Sequence, residues 1–124
     1  MNESFGKDEK LKSKILISQL FVEGKSLNKY PLKLVYLPVS RPGFENHKTA
    51  VSVPKRNFKK AVERIFLKRL MREAFRKNKY LVTSNMNTKY AFMFIYTGRE
   101  KVSYHKLFSV TEDLLKRFAE KEIR

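Results

Sequence analysis

The sequence contains no cysteine and no tryptophan, and it has only four glycines and four prolines. Without cysteine, the chain has no disulfide bonds and no thiolate metal site, which suits a protein of the cytoplasm. It has no apolar run of about 18 residues, so we expect no membrane-spanning helix. The first residues also lack the apolar stretch of a secretory signal. We therefore expect a cytoplasmic protein that is not inserted in a membrane.

Acidic residues are scarce relative to basic ones. The 124 residues include 28 lysines and arginines but 12 aspartates and glutamates, for a formal net charge of +16. Such an excess opposes compaction unless a polyanion neutralises it, which favours nucleic acid or an acidic membrane surface as the partner. The length fits one domain, so we expect residues 1–124 to form a single domain with residues 1–9 flexible.

The side chains that a protein catalyst needs are sparse. His47 and His105 are the only histidines, and neither is spaced to bind a metal with a second ligand. We expect both to be ordinary surface residues, His47 in a loop and His105 in the first turn of a helix. The acidic residues are scattered, and no glycine-rich phosphate loop is present. The sequence therefore predicts no catalytic residue and no metal site in this chain, which should not cleave a substrate alone.

Hydrophobic periodicity and turn residues predict the order α-β-β-α-β-α. Ser13 is placed to cap the first helix and Gly24 to end it in the left-handed conformation, while Ser103 is placed to cap the last helix. Loops are expected around residues 40–43 and 83–88. The helices are expected at 14–23, 58–79 and from 103 onward, and the strands at 32–38, 49–53 and 90–96. This order is typical of an α+β two-layer sandwich.

The second helix carries a row of positive charge. The cations of this row are Arg64, Lys68, Arg69, Arg72 and Arg76. On a helical wheel they lie opposite an apolar side formed by Leu67, Leu70, Met71, Ala74 and Phe75. A solvated helix face usually mixes charges of both signs, because like charges at this spacing repel. Guanidinium groups bind phosphate through paired hydrogen bonds. The pattern predicts an RNA or DNA binder, although an ordinary solvated face remains the alternative.

Residues 55–76 resemble the signature of the bacterial ribonuclease P protein family. Seven residues match its pattern, namely Arg64, Lys68, Arg69, Arg72, Glu73, Phe75 and Arg76. The resemblance extends over about residues 9 to 120. It includes the end of the first helix, the strand around Tyr36 and the segment 102–107.

The resemblance implies a fold like that of the second domain of ribosomal protein S5, with a βαβ crossover helix. It implies a subunit of ribonuclease P, an endoribonuclease that removes the 5′ leader of precursor tRNA to leave the mature 5′ end. The expected partners are the catalytic RNA and precursor tRNA, with the protein a monomer in the ribonucleoprotein. The RNA subunit is expected to perform the hydrolysis and to hold most of the Mg²⁺.

The resemblance also assigns roles to particular residues. The RNA subunit is expected to contact Lys60, Arg64, Lys68, Arg69, Arg72 and Arg76. The leader is expected in a cleft between the sheet and the first helix, at Ile17, Phe21, Tyr36, Lys55 and Arg56. For Phe21 and Tyr36, a place in the hydrophobic core is the alternative.

The chain departs from the family pattern at Ile65 and Phe66, where the family has Asn and Arg. The wheel puts Ile65 on the cationic face, where it cannot make the hydrogen bonds of an asparagine. Phe66 lies at the edge of the apolar face and could equally be a core residue. Two other functions stay open: a general RNA-binding module such as an RNA chaperone, and a protein-only endonuclease, against which the missing catalytic cluster argues.

Overall fold

The computed structural model describes residues 10–11, 13–39, 47–83 and 88–122. Its elements, in chain order, are α1 (Lys14–Glu23), β1 (Lys25–Lys29), β2 (Leu32–Val39), β3 (Lys48–Ser52), α2 (Ala61–Asn78), α3 (Tyr80–Thr83), β4 (Lys89–Tyr96) and α4 (Tyr104–Glu122). The α+β class is confirmed, and β1 and α3 are additions to the predicted order. The flexible segment predicted at residues 1–9 and the loop predicted around 40–43 lie outside the described residues, as does the centre of the loop predicted at 83–88.

The four strands form one sheet in the order β1-β2-β4-β3. β1 and β2 form an antiparallel hairpin that turns at Tyr30–Pro31, whose peptide bond is cis. β2 pairs antiparallel with β4, and β4 pairs parallel with β3. A parallel pair needs a crossover connection, and α2 lies within the connection from β3 to β4. The chain thus contains the βαβ unit that the resemblance implies.

The sheet buries apolar side chains on both faces. On one face, Phe92 and Phe94 of β4 pack with residues of α2 and α4 such as Leu67 and Phe118. This is the larger core, in which α2 and α4 form a helical layer against the sheet. On the other face, α1 packs its Leu16 and Leu20 against a smaller group that includes Val35, Val39, Ala91 and Met93. Successive strand residues alternate between these faces, which decides which side chains can reach α1.

The predicted helix caps are present, but Gly24 acts differently from the prediction. The Ser13 hydroxyl accepts a hydrogen bond from the Leu16 amide at 3.3 Å, and the Ser103 hydroxyl accepts one from Lys106 at 3.1 Å. Gly24 is extended, with φ −69° and ψ 150°, so the predicted left-handed stop is wrong. A glycine is needed there for space, because a Cβ atom would clash with the Leu20 carbonyl oxygen and lie 2.8 Å from Val35 Cγ1.

His47 is buried, so the prediction of an ordinary surface residue is wrong. It directly precedes β3, and its Nδ1 accepts a hydrogen bond from the backbone amide of Tyr90 at 2.9 Å. The imidazole, placed just before the first residue of β3, therefore accepts a hydrogen bond from the backbone of β4. Burial, followed by the charge of Lys89, lowers the pKa of His47 to about 4, so the ring is neutral at pH 7. His105 is exposed, as predicted.

Candidate RNA-binding surface

Two arginines of the α2 row are held by groups of this chain. Arg64 Nη1 donates hydrogen bonds to the carbonyl oxygens of Phe58 at 2.8 Å and Lys59 at 2.9 Å. Arg76 Nε donates to a carboxylate oxygen of Glu73 at 3.1 Å, one turn away. This hydrogen bond lowers the pKa of Glu73, which stays ionised and balances the charge of Arg76. Both arginines therefore make intramolecular hydrogen bonds in the free protein.

The middle of the row is available for a partner. Within the described residues, the side chains of Lys68, Arg69 and Arg72 have no hydrogen bond and no ion pair. Arg69 and Arg72 are exposed and Lys68 is half-buried, while Lys60 is exposed just before α2 begins. Unpaired cations so close together repel one another, and an anionic partner would relieve that repulsion. The unpaired cations of the row thus lie between Arg64 and Arg76, whose side chains are already hydrogen-bonded.

A cleft of about 660 Å³ lies between α1 and the edge strand β3. Ile17 and Phe21 of α1 form one side, with Phe21 60% exposed. Arg72 of α2 also lines the cleft, so it belongs both to the cationic row and to the cleft. The remaining lining comes from the segment before α1, from β3 and from β4: Lys10, Leu11, Thr49, Ala50, Val51, Ser52 and Met93. One aromatic ring and one guanidinium thus line the same opening.

Tyr36 does not line this cleft, and its prediction as a cleft residue is wrong. It is 2% exposed and lies on the α4 side of the sheet, with its ring centroid 4.8 Å from that of Phe118. Its hydroxyl donates to Glu122 at 3.4 Å, and burial, followed by the charge of Glu122 and this hydrogen bond, raises the pKa of Tyr36. The preceding residue, Val35, is the one that packs with α1, because adjacent strand residues point to opposite faces.

The other predicted leader residues also lie apart from the cleft. Lys55 and Arg56 are exposed in the turn before α2 and are not among the residues that line the cleft. In their place the structure adds Lys10 and Leu11, which the sequence did not single out. The Leu11 amide donates to the Thr49 carbonyl oxygen at 2.9 Å and so joins this segment to the outer edge of β3. No local pattern predicts such a contact, because it depends on where the distant strand ends up.

The two residues that depart from the family pattern are both on the surface. Ile65 is 51% exposed, which confirms its place on the cationic side of α2. Phe66 is 50% exposed, so the alternative that it belongs to the core is wrong. The buried residues of α2 are Leu67, Met71, Ala74, Phe75 and Asn78.

In residues 10–11, 13–39, 47–83 and 88–122, no three histidine, aspartate or glutamate side chains are grouped so that they could hold a metal ion. No helix in this part of the chain is both long enough and apolar enough to cross a membrane.

The described residues thus define a small basic α+β protein with an open cleft at the edge of its sheet. The family model for Ribonuclease P matches residues 5–119, and the chain belongs to this family. The ribonuclease P protein components of two strains of Porphyromonas gingivalis are each 42% identical over 76 residues. These matches cover 61% of this chain and 56% of the relatives, so they span little more than half the length of those proteins.

Solved ribonuclease P proteins share the fold. The Staphylococcus aureus protein superposes with a TM-score of 0.71 at 17% identity, covering 89% of this chain and 94% of that one. The Thermotoga maritima protein superposes with a TM-score of 0.70 at 25% identity, and the match covers 88% of this chain and 96% of that one. The first of these likenesses shows the fold alone, because few residues are identical.

Proposed function

We propose that this chain is the protein subunit of a ribonuclease P and assists endonucleolytic removal of the 5′ leader from precursor tRNA. Membership of the family and the names of the Porphyromonas gingivalis relatives support this proposal. The observation that carries it is the cleft in which Phe21 and Arg72 face one opening, with the free cations Lys68 and Arg69 close to Arg72 on α2. Anionic RNA would be bound without displacing any bond that these side chains make within the described part of the chain.

The shape and chemistry of the cleft suit a single strand. Single-stranded RNA is bound by basic grooves in which aromatic rings stack on bases. Phe21 offers an exposed ring for stacking, and Arg72 can donate paired hydrogen bonds to a phosphate. The exposed side of α2, with Lys60 in front of it, would contact the catalytic RNA. Lys55 and Arg56 would add charge to either contact from the turn before α2.

In this proposal the protein positions RNA and the RNA subunit performs the hydrolysis. Mg²⁺ would be held mainly by the RNA subunit, where phosphate oxygens are abundant. The protein would be a monomer in a cytoplasmic ribonucleoprotein. Its contribution to the rate would come from holding the leader and from neutralising phosphate repulsion between the two RNAs.

Reconstitution tests the proposal directly. The catalytic RNA is incubated with labelled precursor tRNA at near-physiological Mg²⁺, with and without the protein. We expect the protein to increase cleavage at the mature 5′ end, and RNA-free protein to leave the precursor intact. Cleavage by the protein alone would place the chemistry in this chain, and no gain over the RNA alone would remove the proposed role.

The cleft is tested by Phe21→Ala. Loss of one stacking contact should weaken binding of precursor tRNA about fivefold or more, while binding of mature tRNA, which has no leader, should not change. Val22→Ala is a matched control, because Val22 is the next residue of α1, is 83% exposed and does not line the cleft. Equal losses for precursor and mature tRNA would indicate a general RNA-binding module in place of a leader-binding subunit.

The cationic row is tested by salt dependence. Arg69→Ala should weaken binding of the catalytic RNA and reduce the slope of log affinity against log salt by about 0.7 to 0.9 for one lost phosphate contact. Lys116→Ala removes one charge from an exposed residue of α4 that is ion-paired with Glu112, so it serves as the control. If Arg69→Ala and Lys116→Ala leave the same slope as the unchanged protein, the row is only a solvated face.

A further inference from the structure

Three exposed apolar side chains lie together at the start of α2. Val62, Ile65 and Phe66 are 77%, 51% and 50% exposed. Their spacing of three and four residues puts them side by side on one helix face. Single exposed apolar residues are common on protein surfaces, but a contiguous group indicates a surface that binds something. We call these three residues the α2 apolar patch.

Positive charge borders this patch. Lys101 lies with its Nζ 5.7 Å from the ring centroid of Phe66, and the same Nζ pairs with Glu63 at 3.2 Å. The nearest acidic residue on α2 is therefore already balanced. Arg69 follows one turn after Phe66 and has no hydrogen bond or ion pair to any described residue, and Lys60 is exposed before the helix. The patch thus combines an aromatic surface with cations available for an anion.

The positive charge around the patch and the net charge of the chain restrict which kind of partner can bind there. A second copy of this chain would bring another formal charge of +16 against it, and the two would repel. An unpaired nucleotide fits both properties, because its base has an apolar face and its phosphates are anionic. Bases stack on aromatic side chains in proteins that bind single-stranded or unpaired RNA.

We propose that the α2 apolar patch is a stacking site for an unpaired nucleobase of the bound RNA. Phe66 stacks on the base, Ile65 and Val62 pack beside it, and Arg69 and Lys60 bind the flanking phosphates. The inference rests on the proposed function, since it assumes that the chain binds RNA. At Ile65 and Phe66 the chain would then hold RNA by stacking, where the family pattern has hydrogen-bonding side chains.

A fluorescent variant tests the site. The chain has no tryptophan, so Phe66→Trp introduces a single one whose emission reports on its surroundings. The probes are a single-stranded oligoadenylate and an abasic oligonucleotide of equal length and charge. We expect the oligoadenylate to quench Phe66→Trp and the abasic probe to leave its emission nearly unchanged. Ile15→Trp is the control, because Ile15 is 70% exposed on α1, on the other face of the sheet, and should be quenched by neither probe.

Affinity gives an independent readout. Phe66→Ala should weaken oligoadenylate binding about fivefold or more and leave binding of the abasic probe unchanged, while Phe66→Tyr should retain both. Retained RNA binding without quenching would overturn the stacking site and leave the proposed function standing. Failure of the unchanged protein to bind RNA at all would overturn both. Self-association in sedimentation that Phe66→Ala abolishes would assign the patch to contacts between copies and so also overturn the inference.

Discussion

The guanidinium of Arg64 donates a hydrogen bond to the backbone carbonyl oxygen of Phe58 at 2.8 Å. Phe58 is a core residue, 6% exposed, and it lies in the segment that leads into α2. Lys60 at the start of the helix makes no side-chain cap, so Arg64 and its second bond to Lys59 hold this segment instead. The same arginine is one of the residues that the family pattern assigns to RNA. Its role in stability must therefore be separated from any role in binding.

Arg64→Met should lower the free energy of unfolding by about 1 to 2 kcal/mol, because two carbonyl oxygens lose a charged donor. Urea denaturation monitored by circular dichroism would measure the change. Arg69→Met is the matched control, with an expected change within about 0.5 kcal/mol, since Arg69 is exposed and makes no bond within the described residues. Equal stabilities of the two variants would contradict the structural role of Arg64.

Ile65→Asn should be tolerated by the fold. Ile65 is half-exposed, so little apolar area is lost and the new amide can remain in water; we expect a loss of less than about 1 kcal/mol. Leu67→Asn provides the contrast, because Leu67 is fully buried and its replacement should cost several kcal/mol, on the order of 3 to 5. Thermal melts compare the two. A large drop in melting temperature for Ile65→Asn would mean that α2 is rotated from the position described above.

Stability should fall as the pH is lowered, because His47 is buried as the neutral imidazole. Its pKa is about 4 in the folded protein and near 6.5 when unfolded, so in that interval the unfolded chain binds the proton more readily. The stabilisation is complete above about pH 6.5 and is lost as the pH falls towards 4, by up to about 3 kcal/mol. Urea midpoints measured across this range would show the decline.

His47→Gln should flatten that pH dependence, because the titrating group is gone. His105→Gln is the matched control, since the His105 side chain is exposed, and it should keep the decline. If His47→Gln loses stability between pH 6.5 and 4 as steeply as the unchanged protein, other groups cause the effect.

Tyr36→Phe should affect stability and leave leader binding alone. The hydroxyl contacts Glu122 on the α4 side of the sheet, so its removal should cost about 1 kcal/mol. The affinity for precursor tRNA should equal that of the unchanged protein, because the ring does not line the cleft. A selective loss of precursor binding in Tyr36→Phe would restore this tyrosine to the leader site.

The sequence predicted the elements whose signals are local. α1 begins after Ser13 and α4 after Ser103 because each hydroxyl accepts a backbone hydrogen bond near its own position in the chain. β1 was missed because Lys25–Lys29 has a single buried residue, Leu27, and owes its conformation to pairing with β2. An edge strand with mostly exposed side chains has no apolar alternation to detect.

The site was predicted less well than the fold, for a related reason. Ile17 and Phe21 share one side of α1 through helical periodicity, and both line a cleft beside that helix. That this cleft binds the leader stays a prediction. The placement of Tyr36 depends on the register of β2 against its neighbours, where an error of one residue moves a side chain to the opposite face. The burial of His47 was missed because its partner, Tyr90, lies far away along the chain. The hydrogen bond from Arg64 to the Phe58 carbonyl oxygen was missed as well, while the predicted contact of Arg64 with RNA stays a prediction.

Gly24 is the single residue that connects α1 to the sheet, since β1 begins at the next residue, Lys25. The helix that carries Phe21 is therefore anchored at its end by the backbone of β1, with Val35 and the Leu20 carbonyl filling the space where a side chain would stand. Exposed residues of α1 that do not line the cleft can vary freely, but this junction cannot be lengthened without moving the side of the cleft that α1 forms. Insertions between Glu23 and Lys25 should accordingly be far rarer among functional variants than substitutions at Ile15 or Val22.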